Sequence, residues 1–235
     1  MMKVISFKIC PFVQRVTALL EAKKAPYDIE YIDLSKKPDW FLDMSPNSQV
    51  PLLVTEAGKP LFESDAIAEY LDEVVEPLEP DIGPEDRAID RAWSYQAAKN
   101  YLVQCSAQRS PSEEILTERA EKLGKAFERM EKVLGGGPFF KGERIGNVDI
   151  SWLPLLHRAD VIRTRTCYDF LKGYPKVQAW QAALMETGLP ARSVPEDFED
   201  VFSGFYLSDK TFLGTGTTCT DELPTGCKTD APCCG

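Results

Sequence analysis

The stretch Lys3-Val4-Ile5-Ser6-Phe7-Lys8-Ile9-Cys10-Pro11-Phe12-Val13 decides the reading of this chain. Residues 3–7 form an apolar run of the length of a buried strand. Two residues later Cys10-Pro11 opens an apolar-periodic helix over 11–24, with Val13, Val16, Leu19 and Leu20 on one face. Proline suits the first helical position, where a missing N–H costs nothing. Cys10 then takes the N-cap, and unpaired backbone N–H groups and the positive end of the helix dipole face its sulfur. Such placement lowers a cysteine pKa from about 8.5 into the range of roughly 3.5–7.5 and gives a nucleophilic thiolate at neutral pH. The plainer alternative is a small buried cysteine that happens to lie near a helix start.

Outward from this motif the elements alternate. A strand is expected over 28–33 and a short helical turn over 38–42. A strand pair follows at 52–54 and 60–62, around the turn signal Glu56-Ala57-Gly58. Ser64 caps a helix through 75, with Ile67, Tyr70, Leu71 and Val74 inward. This is a small α/β unit over 1–76. The run Glu76-Pro77-Leu78-Glu79-Pro80-Asp81-Ile82-Gly83-Pro84 cannot continue a helix and marks a linker over 77–84. The period is helical beyond it, with helices expected over 84–107, 113–134, 147–161 and 174–187. The second domain, 85–207, is therefore all-α. Residues 208–235 read as a tail carrying Cys219, Cys227, Cys233 and Cys234.

The net charge of −10 argues against nucleic acid and anionic membrane as partners. No apolar run approaches the ~20 residues that span a bilayer, and a strand beginning at Lys3 leaves no room for a leader. A cytoplasmic protein is expected, with its seven cysteines as thiols rather than structural disulfides. The spacing of the tail cysteines matches no common zinc pattern, and no metal is counted among the site residues. Incidental thiols, soft-metal binding and resolution of Cys10 are the readings open for them.

An α/β unit of this order, a proline linker and an all-helical second domain resemble the glutathione transferase superfamily. The Cys-Pro-Phe motif is similar to that of its cysteine-type, omega-like members. The resemblance implies a thioredoxin-like first domain and assigns roles by position. Cys10 matches the catalytic cysteine, and Phe12 a residue beside the glutathione cysteinyl group. Lys37 matches a lysine that pairs with the glycyl carboxylate. Val50-Pro51 matches a valine before a cis-proline, whose backbone pairs with the cysteinyl part. Glu63-Ser64 matches the pair that holds the γ-glutamyl group. Each assignment makes physical sense. Ser64 opens a helix that can receive a carboxylate, Glu63 can accept from an ammonium, and Lys37 offers a point charge. A lysine on a solvated surface and an ordinary helix cap are the plainer readings of Lys37 and Ser64. Glutathione is then the co-substrate, and a homodimer is expected by the same resemblance.

Position 13 is valine, so no Cys-x-x-Cys pair exists and the site is expected to work as a monothiol. The leading function is a glutathione-dependent thiol transferase and reductase, with a disulfide or an oxidant such as dehydroascorbate as small substrate. Deglutathionylation or reductive dehalogenation of aromatic substrates is the enzymatic alternative, and a non-enzymatic regulatory role the other. Trp93, Tyr101, Trp152, His157 and Trp180 are candidates for an acceptor pocket, although aromatic residues at helical spacing are core far more often. Ile145-Gly146-Asn147-Val148-Asp149-Ile150 resembles the capping box that starts a buried helix in this superfamily, with Gly146 in place of the usual hydroxyl residue.

Overall fold

A computed structural model describes residues 1–216. The tail cysteines Cys219, Cys227, Cys233 and Cys234 lie outside the described residues. The α/β part runs β1 (Met2–Ser6), α1 (Pro11–Ala22), β2 (Tyr27–Tyr31), α2 (Asp39–Met44), β3 (Leu52–Val54), β4 (Pro60–Phe62) and α3 (Ser64–Val74). Its strands form one sheet in the order β2-β1-β3-β4. β1 and β2 are parallel, with Val4 opposite Ile29. β1 with β3 and β3 with β4 are antiparallel, with Leu53 opposite Val4 and Leu61. The helical part comprises α4 (Pro84–Gln108), α5 (Glu113–Val133), α6 (Asn147–Thr166), α7 (Pro175–Glu186), α8 (Leu189–Arg192), α9 (Phe198–Tyr206) and α10 (Phe212–Thr215).

α6 is the axis of the second part. Val148 through Ala159 is buried without interruption, because α1, α4, α7 and α8 all pack against this helix. The polar side chains in that stretch are buried with partners, Asp149 on the Phe140 amide, His157 on Gln14 and Arg158 on the Ile9 carbonyl. The α/β core does not stop at the linker. Val13, Val16, Leu19 and Leu20 of α1 pack in one cluster with Leu53, Ile67 and Leu71, and also with Ile150 and Leu153 of α6 and Leu189.

Several expectations are corrected. α1 ends at Ala22, with Lys23 as its C-cap and Lys24 at φ 53°. Lys23 reaches across to α3. Its ammonium is buried, 2.8 Å from Asp72 of α3 and 2.8 Å from the Glu76 carbonyl, so it ties α1 to the end of α3. α6 runs five residues past the expected 161, closing on Cys167 in the left-handed region. Cys167 is disulfide-bonded, so the expectation of thiols throughout does not hold there. Residues 208–216, read as the start of a tail, carry α10. The Phe212 amide donates to the Ser110 carbonyl at 2.8 Å, and Leu213 is buried in the helical core.

The start of α6 shows why Gly146 replaces a hydroxyl residue. Asp149 Oδ2 accepts from the Gly146 amide at 2.8 Å, which is half of a capping box. The reciprocal half is missing, since glycine has no acceptor. A Cβ at Gly146 would lie 2.6 Å from the Glu79 carboxylate. Glu79, from the linker, instead accepts from the Asn147 amide at 3.4 Å. Asp149 Oδ1 accepts from the Phe140 amide at 2.8 Å and from Trp180 Nε1 at 2.6 Å, which makes the aspartate a structural hub.

Candidate functional site

Cys10 sits as expected at the N-cap of α1, in extended conformation (φ −75°, ψ 122°) with Pro11 at the first helical position. Its amide donates to the Phe7 carbonyl at 3.0 Å, and its carbonyl accepts from Gln14 at 3.1 Å. The amides of Phe12 and Val13 lie on the side of the sulfur and favour its thiolate, without closing a side-chain cap hydrogen bond. Even so, the expected lowering of its pKa is corrected. Burial pushes the Cys10 thiol up to about 11, outweighing the two amides and the Arg158 guanidinium that favour the thiolate.

All seven residues singled out from the sequence line one cavity of about 300 Å3: Cys10, Phe12, Lys37, Val50, Pro51, Glu63 and Ser64. They come from four places in the chain, brought together by the sheet and by the starts of α1 and α3. The Val50–Pro51 bond is cis, as the resemblance implied. Ser64 is the buried first residue of α3. Glu63, just before it, holds φ at +66°, a backbone region that costs a non-glycine residue about 1–3 kcal/mol. Its Oε1 accepts from Asn47 Nδ2 at 2.9 Å, which aims the carboxylate along the cavity wall. Lys37 donates to the Ser48 carbonyl at 2.8 Å. Asn47, Ser48 and Gln49 also line the cavity and were not foreseen. Their only signal was position, immediately before Val50-Pro51.

A second, larger cavity of about 580 Å3 opens on the other side of Cys10, between the two parts of the chain. Cys10, Phe12 and Leu102 line both. Its further walls are Phe7, Ile9, Cys105, Arg109, Arg119, Phe205 and Tyr206. Trp93, Tyr101, Trp152, His157 and Trp180 line neither cavity. Tyr101, Trp152, His157 and Trp180 are buried in the core and Trp93 packs half-buried against it, as the plainer reading held. The Tyr101 hydroxyl donates to the Ser151 carbonyl at 2.5 Å, and its ring meets Phe12 edge-on at 5.0 Å. His157 accepts from Gln14 Nε2 at 2.8 Å and stacks on Phe198.

Arg158 was missed. It is fully buried behind Cys10, with Nη2 donating to the Ile9 carbonyl at 3.1 Å and Nη1 to the Pro154 carbonyl at 3.0 Å and to Gln14. The signal was present in the sequence: a guanidinium in the middle of the apolar run 152–162 must find partners or pay heavily for burial.

The family models for the glutathione S-transferase N-terminal domain and C-terminal domain match residues 9–74 and 113–183. Glutathione S-transferase omega-1 of Sus scrofa is 30% identical over 217 residues, covering 89% of this chain and 87% of that protein. Glutathione S-transferase DHAR2 of Arabidopsis thaliana is 36% identical over 153 residues, 65% of this chain and 68% of that one. Among solved structures, glutathione transferase Omega 3C from Trametes versicolor shares the fold with a TM-score of 0.71 at 24% identity, covering 82% of this chain and 88% of that chain. With both halves matched in order and the likeness to the Sus scrofa protein running along nearly the whole length, the chain belongs to the glutathione transferase family.

Proposed function

We propose that the chain is a glutathione-dependent thiol transferase and reductase in which Cys10 is the nucleophile. The observation that carries this reading is the position of one thiol at the seam of two cavities. The smaller carries groups for a tripeptide with charged ends: Lys37 for the glycyl carboxylate, Glu63 for the glutamyl ammonium, and Ser64 with the amides of α3 for the glutamyl carboxylate. The larger receives the acceptor. Its apolar walls with Arg109 and Arg119 suit a small disulfide or oxidant bearing negative charge.

A cysteine here, unlike a tyrosine or serine, itself forms a mixed disulfide with glutathione. The Cys10 thiolate attacks the sulfur of a glutathionylated substrate, the S–S bond breaks, and the substrate thiol leaves. With an oxidant such as dehydroascorbate, the two electrons come from thiols, which end as a disulfide. A thiol then discharges glutathione from Cys10. The thiolate is reached against burial, held by the Phe12 and Val13 amides and by Arg158.

The deciding experiment is Cys10→Ser assayed with a glutathionylated peptide. Turnover is expected to vanish while the protein is still retained on immobilised glutathione; surviving turnover overturns the reading. We carry the homodimer as a proposal too. Light scattering of the full chain tests it.

A further inference from the structure

We propose that Cys105 is the second thiol of this site: it attacks the Sγ of Cys10 in the Cys10–glutathione mixed disulfide, closes a Cys10–Cys105 disulfide and expels glutathione. The inference rests on the thiol-transfer reading above and replaces its monothiol form with a dithiol one.

Three observations carry it. Cys10 and Cys105 are both free, partly exposed thiols, and they line the same cavity. α4 is docked on the start of α1 by the Tyr101–Phe12 ring contact at 5.0 Å, and Cys105 lies one helical turn beyond Tyr101, on the same face. Tyr206, from α9, stands beside Cys105 in the same wall.

The exchange chemistry allows this route and moves the departure of Cys10 from the glutathione adduct to the protein disulfide. In thiol–disulfide exchange the better leaving group is the thiol of lower pKa. Burial holds the Cys10 thiol up near 11, so an attack on the glutathione sulfur must expel a poor leaving group. An attack on the Cys10 sulfur expels glutathione instead. When the attacker is another glutathione, that only replaces one adduct with an identical one. A thiol in the cavity wall turns the same step into release. The Cys105 proton goes to the departing glutathione thiolate, the bond between Cys10 and glutathione breaks, and the protein disulfide forms. One glutathione then attacks the Cys105 sulfur, the bond between Cys10 and Cys105 breaks and Cys10 leaves with the attacker's proton; a second attacks the glutathione sulfur on Cys105, which takes its proton and leaves as a thiol while glutathione disulfide departs. Atoms and electrons balance at each step.

The test uses the full chain and stoichiometric glutathione disulfide, with free thiols alkylated at intervals and peptides mapped by mass spectrometry. The wild type is expected to yield a linked Cys10–Cys105 peptide pair with loss of the adduct. In Cys105→Ser the adduct on Cys10 persists at least about tenfold longer, because the tethered thiol acts at an effective concentration of the order of millimolar. Cys105→Ala, which keeps that wall apolar, gives the same persistence. Tyr206→Phe, which retains both sulfurs, lengthens the adduct lifetime by a smaller factor. A wild-type adduct as long-lived as that of Cys105→Ser, with Cys105 alkylatable throughout, overturns the proposal. So does a bridge from Cys10 to any other cysteine. If neither protein takes up glutathione on Cys10, the thiol-transfer reading itself fails, and this is seen separately.

Discussion

At the scale of single residues, the site is a contest between burial and hydrogen bonding. The helix start supplies Cys10 with two amides, and Arg158 supplies a positive charge, yet desolvation wins. A raised thiol pKa means that the thiolate fraction grows about tenfold per pH unit until pH reaches the pKa. Alkylation of Cys10 by iodoacetamide, followed on its own peptide, should therefore climb steadily from pH 7 to 10 with no plateau. An inflection near pH 6 would show the amides and Arg158 prevailing over burial. Glu63 is the other residue under tension. Its φ of +66° is a conformation that glycine adopts freely. Glu63→Gly should be about 1 kcal/mol more stable to urea than Glu63→Ala, the reverse of their order inside a helix. Both should lose retention on immobilised glutathione, since neither can accept from the glutamyl ammonium. Cys10 and the cradle could be found from sequence because each belongs to a short motif with its own turn chemistry. Arg158 and Cys105 could not be placed that way. Each is a lone residue on a long helix, and its role depends on which other helix packs against that face.

At the scale of elements, the caps decide what could be read. Pro11 after Cys10 announced the start of α1 to the residue, and Ser64 before an apolar run placed that of α3 within one, since Ser64 is its first residue and Glu63 takes the cap position. α9 and α10 announced nothing, because their short apolar runs lie among glycines and acidic residues that also suit a tail. What orders them is tertiary: Phe198 and Phe202 in the core and the bond from Phe212 to Ser110. The start of α6 is the clearest case of a local rule yielding to a distant neighbour. A serine at position 146 would restore a side-chain cap worth roughly a few tenths of a kcal/mol over glycine, but its Cβ would meet the Glu79 carboxylate. Swinging Glu79 aside gives up its contacts with the Asn147 amide and with Lys141 at 3.3 Å. Gly146→Ser alone is thus expected to destabilise by about 1 kcal/mol. In a Glu79→Ala background the same change should stabilise, giving a coupling free energy on the order of 1–2 kcal/mol in a double-mutant cycle of urea melts. Additive effects would remove Glu79 as the reason for the glycine.

At the scale of the whole molecule, the proline linker suggests two domains that fold separately, whereas the packing makes one body of them. α1 shares its apolar cluster with α6 and α8, and its polar face is tied to the second part as well. Gln14 reaches His157, Ser193 and Arg158, while Thr17 donates to the Ser193 carbonyl at 2.7 Å. These contacts span at least 143 positions in the chain, so no sequence period could reveal them. Their consequence is a stability that depends on pH through a group in the junction. Burial, together with the neighbouring Arg158 charge, pushes the His157 pKa down to about 3. In the unfolded chain the same imidazole titrates near 6.5. Below that pH the unfolded state binds a proton that the folded state refuses, so stability is full above about 6.5 and is lost as pH falls towards 3. The slope approaches about 1.4 kcal/mol per pH unit, so that by pH 5 the loss is on the order of 2 kcal/mol. Asp149 works in the other direction, because burial raises its pKa to about 6. The difference between wild type and His157→Gln cancels that contribution, since both proteins keep Asp149, and glutamine can still accept from Gln14. Urea melts at pH 7.5, 6 and 5 should show the wild type losing about 2 kcal/mol more than the variant over that span. Near-ultraviolet and far-ultraviolet dichroism should report one coincident transition in both proteins, as a shared core requires. Parallel pH profiles would mean that His157 takes up its proton in the folded state, which would require Gln14 to turn its carbonyl toward the ring and release Arg158.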